Sequence, residues 1–272
     1  MRGNVKVYQK KIVDKRRKKL FFSSLFGFFV AGLLVCGLSL LSQLDSLAIK
    51  EIKVEGTSRL KPSTIIAAAA SRLEGNYAWL FSKSNVFLYP RAAIQADIAA
   101  LPAVKSAEVS SAGHEAILVS IAERSEAAGW CQGTEAGAGD CYSVDEDGFI
   151  FAPTADPHDV LYRDSEHPDK GVGGRVMPPD DFKNMQFFLR ELTVLGVEPA
   201  EALLEKAGYR EIRLKKGGSL VIDSTDDLSA VLSNLSSVLS DKSIVPDLGA
   251  FLSKLEYIRL DAGNKVFYKL KK

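Results

Sequence analysis

The 272-residue chain is poor in side chains that carry out chemistry: three histidines, three cysteines and two tryptophans. His114, His158 and His167 stand apart along the sequence, and no HExxH, GxSxG, P-loop or SxxK pattern occurs. A zinc peptidase, a serine hydrolase and a nucleotide-phosphate enzyme all need one of these groupings, so no catalytic residue, metal or cofactor is expected. Asp145, Glu146 and Asp147 form a run of acids but lack the twelve-residue spacing of a calcium loop. They read as a solvated turn. Positive charge is also scarce once the first residues are passed. Residues 1–19 hold nine Lys or Arg and one acid, Asp14, a net of +8; the whole chain nets +1, so the remainder nets −7. An acidic body of that kind argues against a nucleic-acid partner.

What the sequence does have is one long uncharged run, Leu20 to Leu41. At 1.5 Å per residue its helix is roughly 33 Å long, enough for the ~30 Å hydrocarbon core of a bilayer. The basic tail before it holds the N-terminus in the cytoplasm and leaves the rest outside. A cleaved signal peptide is the competing reading, since Ser46-Leu47-Ala48 resembles a cleavage site. The run, however, exceeds the ~7–15 residues of a signal-peptide core. Cys36 lies inside the run, and Val35 before it is too large for a lipoprotein site. Cys131 and Cys141 flank QGTEAGAGD. A disulfide, two free thiols and a metal site are all open to that pair. An exported location favours the disulfide, which would add roughly 2–3 kcal/mol by closing so short a loop.

After the apolar run the sequence predicts an α+β chain with two domains. Residues 48–126 read as strand, helix, helix, strand, strand: a strand near Ile49–Val54, a helix opened by Pro62, a second after Pro90 with Ile94, Ile98 and Leu101 on one face, then strands at 104–110 and 116–124. Tyr77–Tyr89 is an apolar connector expected to lie on the sheet or the helices. Residues 127–272 read as a mixed β domain with flanking helices. Its features are a hairpin around the Gly-rich loop and a turn at 145–148. A long, mostly irregular surface segment at 152–180 precedes a helix capped by Asp180 or Asp181. A hairpin through Lys215–Ser219, a helix capped near Asp227 and a final hairpin at 255–270 follow. The last strand, Val266–Leu270, is placed to be a sheet edge that a partner strand could complete. Tyr257, Phe267 and Tyr268 would then be anchors beside Arg259 and Lys269, or the aromatics simply pack a core.

The layout resembles the FtsQ/DivIB family of bacterial cell-division proteins. Ile52-Lys53-Val54-Glu55-Gly56 is similar to the family's opening strand. Leu101–Val109 resembles its "LP.V..A.V" segment. Val119–Ala127 resembles "V.V.ER.P.A", with Glu126 in place of Pro. Val144–Phe151 resembles "LVD..G.VF", and Leu255–Leu260 the strand before the last hairpin. The cysteine pair, and Ser110–His114 in place of a basic and aromatic-proline turn, depart from the pattern.

The resemblance implies a cytoplasmic tail (1–19), a transmembrane helix (20–41), a POTRA domain (48–126) and an FtsQ/DivIB-type β domain (127–272). It implies a non-enzymatic scaffold of the inner membrane and division septum. The implied partners are small single-span coiled-coil proteins, FtsB (DivIC) and FtsL, taken up by strand addition. By position the partner edge is Tyr257, Arg259, Val266, Phe267 and Tyr268. A tethered POTRA protein of secretion or envelope assembly is the alternative.

Overall fold

The computed structural model describes residues 4–133, 139–155, 160–164, 167, 169–204, 208–263 and 265–271, with the backbone alone at 4–18 and 20. His158 and much of the Gly-rich loop between Cys131 and Cys141 lie outside the described residues, as do parts of the 152–180 segment. The chain divides into two compact units, Met1–Glu123 and Arg124–Lys272. The fold is α+β.

The first unit opens with α1 (Asn4–Ser42), whose Phe21–Ser42 portion is long and apolar enough to cross a membrane. A single 3-10 turn (Asp45–Leu47) leads into β1 (Glu51–Glu55). Next come α2 (Pro62–Leu73), a two-residue ladder of β2 (Asn76–Tyr77) and β3 (Phe81–Ser82), α3 (Arg91–Ala99), β4 (Val104–Ser111) and β5 (Ala116–Glu123). The sheet order is β1-β5-β4, with β1 parallel and β4 antiparallel to β5. Ile65 and Ala69 of α2 and Ile94 and Ile98 of α3 pack on Val104, Val109, Ile117, Val119 and Ile121 of the sheet. The helical spacing of the isoleucines and the alternation along β5 put these side chains on the buried faces.

Two residues of this unit are fixed by its turn geometry. Gly56 has φ +84°, and a Cβ there would lie 2.0 Å from the Ile121 carbonyl oxygen. No other residue fits, which accounts for the glycine closing the first strand. Glu123 ends β5 and accepts from the amides of Ser58 (2.8 Å), Arg59 (2.9 Å) and Leu60 (3.0 Å) and from the Ser58 hydroxyl (2.9 Å). Burial raises its pKa, but these backbone and hydroxyl donors outweigh burial and bring it down to about 2. A carboxylate whose folded pKa lies below its unfolded value stabilises the fold above about pH 4, and loses that contribution as pH falls toward 2. Glu123→Gln is expected to remove about 1–3 kcal/mol and to speed amide exchange at residues 58–60. Exchange followed by mass spectrometry checks this, and unchanged protection would refute it.

The second unit holds β6 (Ala128–Cys131), β7 (Cys141–Val144), β8 (Ile150–Pro153), β9 (Leu161–Asp164), α4 (Pro179–Val194), β10 (Pro199–Leu204), β11 (Tyr209–Leu214) and β12 (Ser219–Asp223). It ends with α5 (Leu228–Ser240), α6 (Leu248–Lys254), β13 (Leu255–Ala262) and β14 (Lys265–Leu270). Its nine strands run in the order β14-β13-β12-β11-β10-β9-β6-β7-β8. One face carries the core: Phe182, Met185, Phe188 and Leu192 of α4, Leu235 of α5 and Phe251 of α6 pack on Trp130, Tyr162, Ile212, Leu220 and Ile258.

Several expectations are corrected here. Within the mostly irregular 152–180 segment lies a strand the sequence reading did not place, β9, parallel to both β6 and β10. Strand β10 and helix α6 were not anticipated at all. The first turn of α4 contains Asp180 and Asp181, but its N-cap is Pro178, which makes no side-chain bond. Asp227 does cap α5, accepting from the Ser229 amide. The Tyr77–Tyr89 connector leaves most of its apolar side chains exposed, with Val86 buried and Tyr89 packed on the core.

Candidate functional site

The final hairpin forms one border of the nine-stranded sheet. β13 lies between β12, parallel to it, and β14, antiparallel to it. Among the described residues no strand pairs with the far side of β14. The opposite border differs. There the Ile150 amide donates to the Gly174 carbonyl at 3.0 Å, the Gly173 amide to the Ile150 carbonyl at 2.9 Å and the Val176 amide to the Gly148 carbonyl at 2.9 Å. A loop thus occupies the backbone groups at the Ile150 end of the β8 border, which is how sheets commonly protect an edge.

The five residues named from the sequence do not form one patch. β13 carries a register irregularity between Leu255 and Tyr257, so Ile258 and Leu260 face the helices while Tyr257 and Arg259 face away. Across the ladder Ile258 meets Tyr268, Arg259 meets Phe267 and Tyr257 meets Lys269. On the helix side Val266 packs on the core, and the Tyr268 ring meets Phe251 edge-on with centroids 5.4 Å apart. On the other side are Tyr257, Arg259 and Phe267. Phe267 is 55% exposed and Tyr268 44%, large areas for apolar rings at a strand edge.

Two of the hairpin's cations, Arg259 and Lys269, are already engaged. Arg259 pairs with Asp261; the hydrogen bond holds the guanidinium above its ordinary pKa and the carboxylate below its own. Lys269 Nζ donates to Glu256 at 2.7 Å, which raises its pKa, and lies 6.0 Å from the Tyr257 ring centroid. Two exposed aromatic rings are therefore apolar surface that this border offers.

The remaining sequence signals are anchors of the fold. Asp145 is buried, not part of a solvated turn. It pairs with Arg124 and accepts from the amides of Asp147 and Phe149, each at 2.9 Å. The Arg124 guanidinium lies 4.3 Å from the Phe149 ring centroid. Cys131 and Cys141 are joined by a disulfide between β6 and β7. His114 is exposed, and the His167 amide donates to Asp164 at 3.1 Å. Among the described residues no three His, Cys, Asp or Glu side chains are gathered as a metal site.

Sequence reasoning missed a buried charge network on the sheet face turned from the helices. Glu201 of β10 pairs with Arg163 of β9 through one carboxylate oxygen, and with Arg213 of β11 at 2.8 Å through the other. Arg163 Nη1 also donates to the Gln132 carbonyl at 2.7 Å.

Residues 47–124 match the family model of the POTRA domain, FtsQ-type, which covers the β1-α2-α3-β4-β5 segment. No curated protein matches the chain. The single apolar N-terminal helix fits a single-pass membrane anchor. With that anchor and a strand-rich second unit, the FtsQ-type POTRA domain supports the chain as a protein of the FtsQ/DivIB family.

Proposed function

We propose that the chain is a non-catalytic scaffold of the cell-division machinery. It is anchored in the cytoplasmic membrane with its N-terminus inside and both folded units outside, and it acts at the septum. There it binds small single-span coiled-coil proteins of the FtsB/DivIC and FtsL types by adding a partner strand to β14. The observation that carries this reading is the asymmetry of the nine-stranded sheet: a loop is bonded to the Ile150 end of the β8 border, while β14 is bordered only by β13 among the described residues and carries two exposed rings. Backbone pairing along such an edge supplies affinity, and side chains beside it supply specificity.

Copurification of the full-length protein with an FtsB- or FtsL-type partner tests the reading. Removal of residues 255–272 would also take away β13, whose Leu255, Ile258 and Leu260 are buried, so a shorter truncation is the better probe. Deletion of 265–272 is expected to weaken binding by at least ~100-fold, about 2.7 kcal/mol. Phe267→Glu, a change at an exposed position, is expected to weaken it in the same direction with the fold intact. Full-strength capture by both variants would refute strand addition at this border.

A further inference from the structure

The Tyr77–Leu88 segment is apolar, yet most of it is not used in the core. Trp79 is 92% exposed and Phe87 76%, with Leu80 and Leu88 also exposed. Trp79 stands at the tip between β2 and β3 on strained backbone: Ala78 has φ 46° and Trp79 φ 61°, a left-handed conformation that residues with a Cβ adopt reluctantly. Left in water, such a tip would combine an unfavourable backbone with a fully hydrated indole, and nothing in the POTRA core would offset either.

The tip is also held at a defined level along α1. Ser39 Oγ, on its last turns, donates to the Leu80 carbonyl at 2.5 Å, and Gln43 Nε2 donates to the same oxygen at 3.1 Å. Asn85 Nδ2 donates to the Ser42 carbonyl at 3.1 Å, and the Ser82 amide to Ser42 Oγ at 3.3 Å. Leu38 and Leu41, on the same turns, are exposed and line a groove of ≈ 520 Å³ with Phe87 and Leu88. The apolar surface of α1 therefore runs without a break onto this segment. Where a spanning helix leaves the hydrocarbon, Trp and Tyr are the side chains that suit the boundary, with an apolar ring and a polar edge. We propose that the Tyr77–Leu88 segment is seated in the lipid at the membrane boundary crossed by the end of α1, with the Trp79 indole among the acyl chains and headgroups. The proposal rests on reading α1 as a membrane span.

The full-length protein in nanodiscs of phosphatidylcholine and phosphatidylglycerol provides the test. Coelution with the lipid disc reports insertion of α1 independently. The emission of the native protein minus that of Trp79→Phe isolates Trp79 from the buried Trp130. Acyl-brominated phosphatidylcholine is expected to remove most of the Trp79 emission, and aqueous iodide to leave it nearly unchanged. Quenching by iodide but not by bromolipid would place the indole in water. Protection from both quenchers would mean that protein, such as a second copy of the chain, covers it. Either result in discs that hold the protein overturns the proposal and leaves the membrane span standing. Failure to coelute would overturn the span itself.

Discussion

Glu201→Ala is expected to destabilise the second unit by about 3–5 kcal/mol, the usual effect of removing one partner from a buried ion pair. The carboxylate of Glu201 sits between Arg163 and Arg213 and engages one with each oxygen. The Arg163 side chain is 2% exposed. Without Glu201 the Arg163 guanidinium loses its Nε carboxylate partner and the Arg213 guanidinium keeps Glu211 at 3.8 Å. Their mutual repulsion and the desolvation of Arg163 then act in the same direction. Small domains are stable by only about 5–15 kcal/mol, so much of the unit's margin is lost. Urea unfolding followed by the buried Trp130 measures it. The double change Arg163→Met with Glu201→Leu removes both charges and is expected to recover most of the loss. A drop below about 1 kcal/mol for Glu201→Ala would mean that the network behaves as a solvated surface pair.

Phe182→Ala is expected to lower stability by a similar amount, about 3–5 kcal/mol, through lost apolar burial and the cavity left behind. Phe182 is fully buried in the first turn of α4, and its ring centroid lies 5.3 Å from that of Tyr162 on β9. Burial raises the pKa of the Tyr162 phenol, to which Gln186 donates at 3.2 Å. Phe182 also roofs Gly148. A Cβ added at Gly148 would meet the Phe182 ring at 3.0 Å, and φ there is +73°. Gly148→Ala is therefore unfavourable for two reasons, backbone strain and contact with the ring. Once Phe182 is truncated to alanine the ring contacts go, and the strain and a 3.2 Å contact with the remaining Cβ of residue 182 are left. The double variant should thus lose less than the sum of the single ones. Strict additivity in urea midpoints would show that the ring and the turn do not share this space.

The first unit was legible because its signals agree at every level. Isoleucines at helical spacing, alternation along β5 and a glycine closing β1 all point the same way. The middle of the second unit was not legible, for identifiable reasons. β10 reads Pro-Ala-Glu-Ala-Leu-Leu, a composition with weak strand preference, and becomes a strand because β9 and β11 flank it. β9 offers Arg163 and Asp164, which look like surface residues until Glu201 and Lys170 are placed beside them. At the final hairpin the two strands could be read from the residues themselves. Which side chains share a face could not, because the irregularity between Leu255 and Tyr257 resets the alternation.

The loop that fastens onto β8 has a consequence for stoichiometry. A sheet with two bare borders can be extended from either side, and copies can join border to border into an open-ended ribbon. With the Gly173–Val176 stretch bonded at the Ile150 end of one border, the proposed strand addition would be confined to the other, and one guest strand would fill it. If a partner strand adds at β14 as proposed, that addition is a terminating event, one guest per host, and the count of recruited chains is set by the number of hosts present.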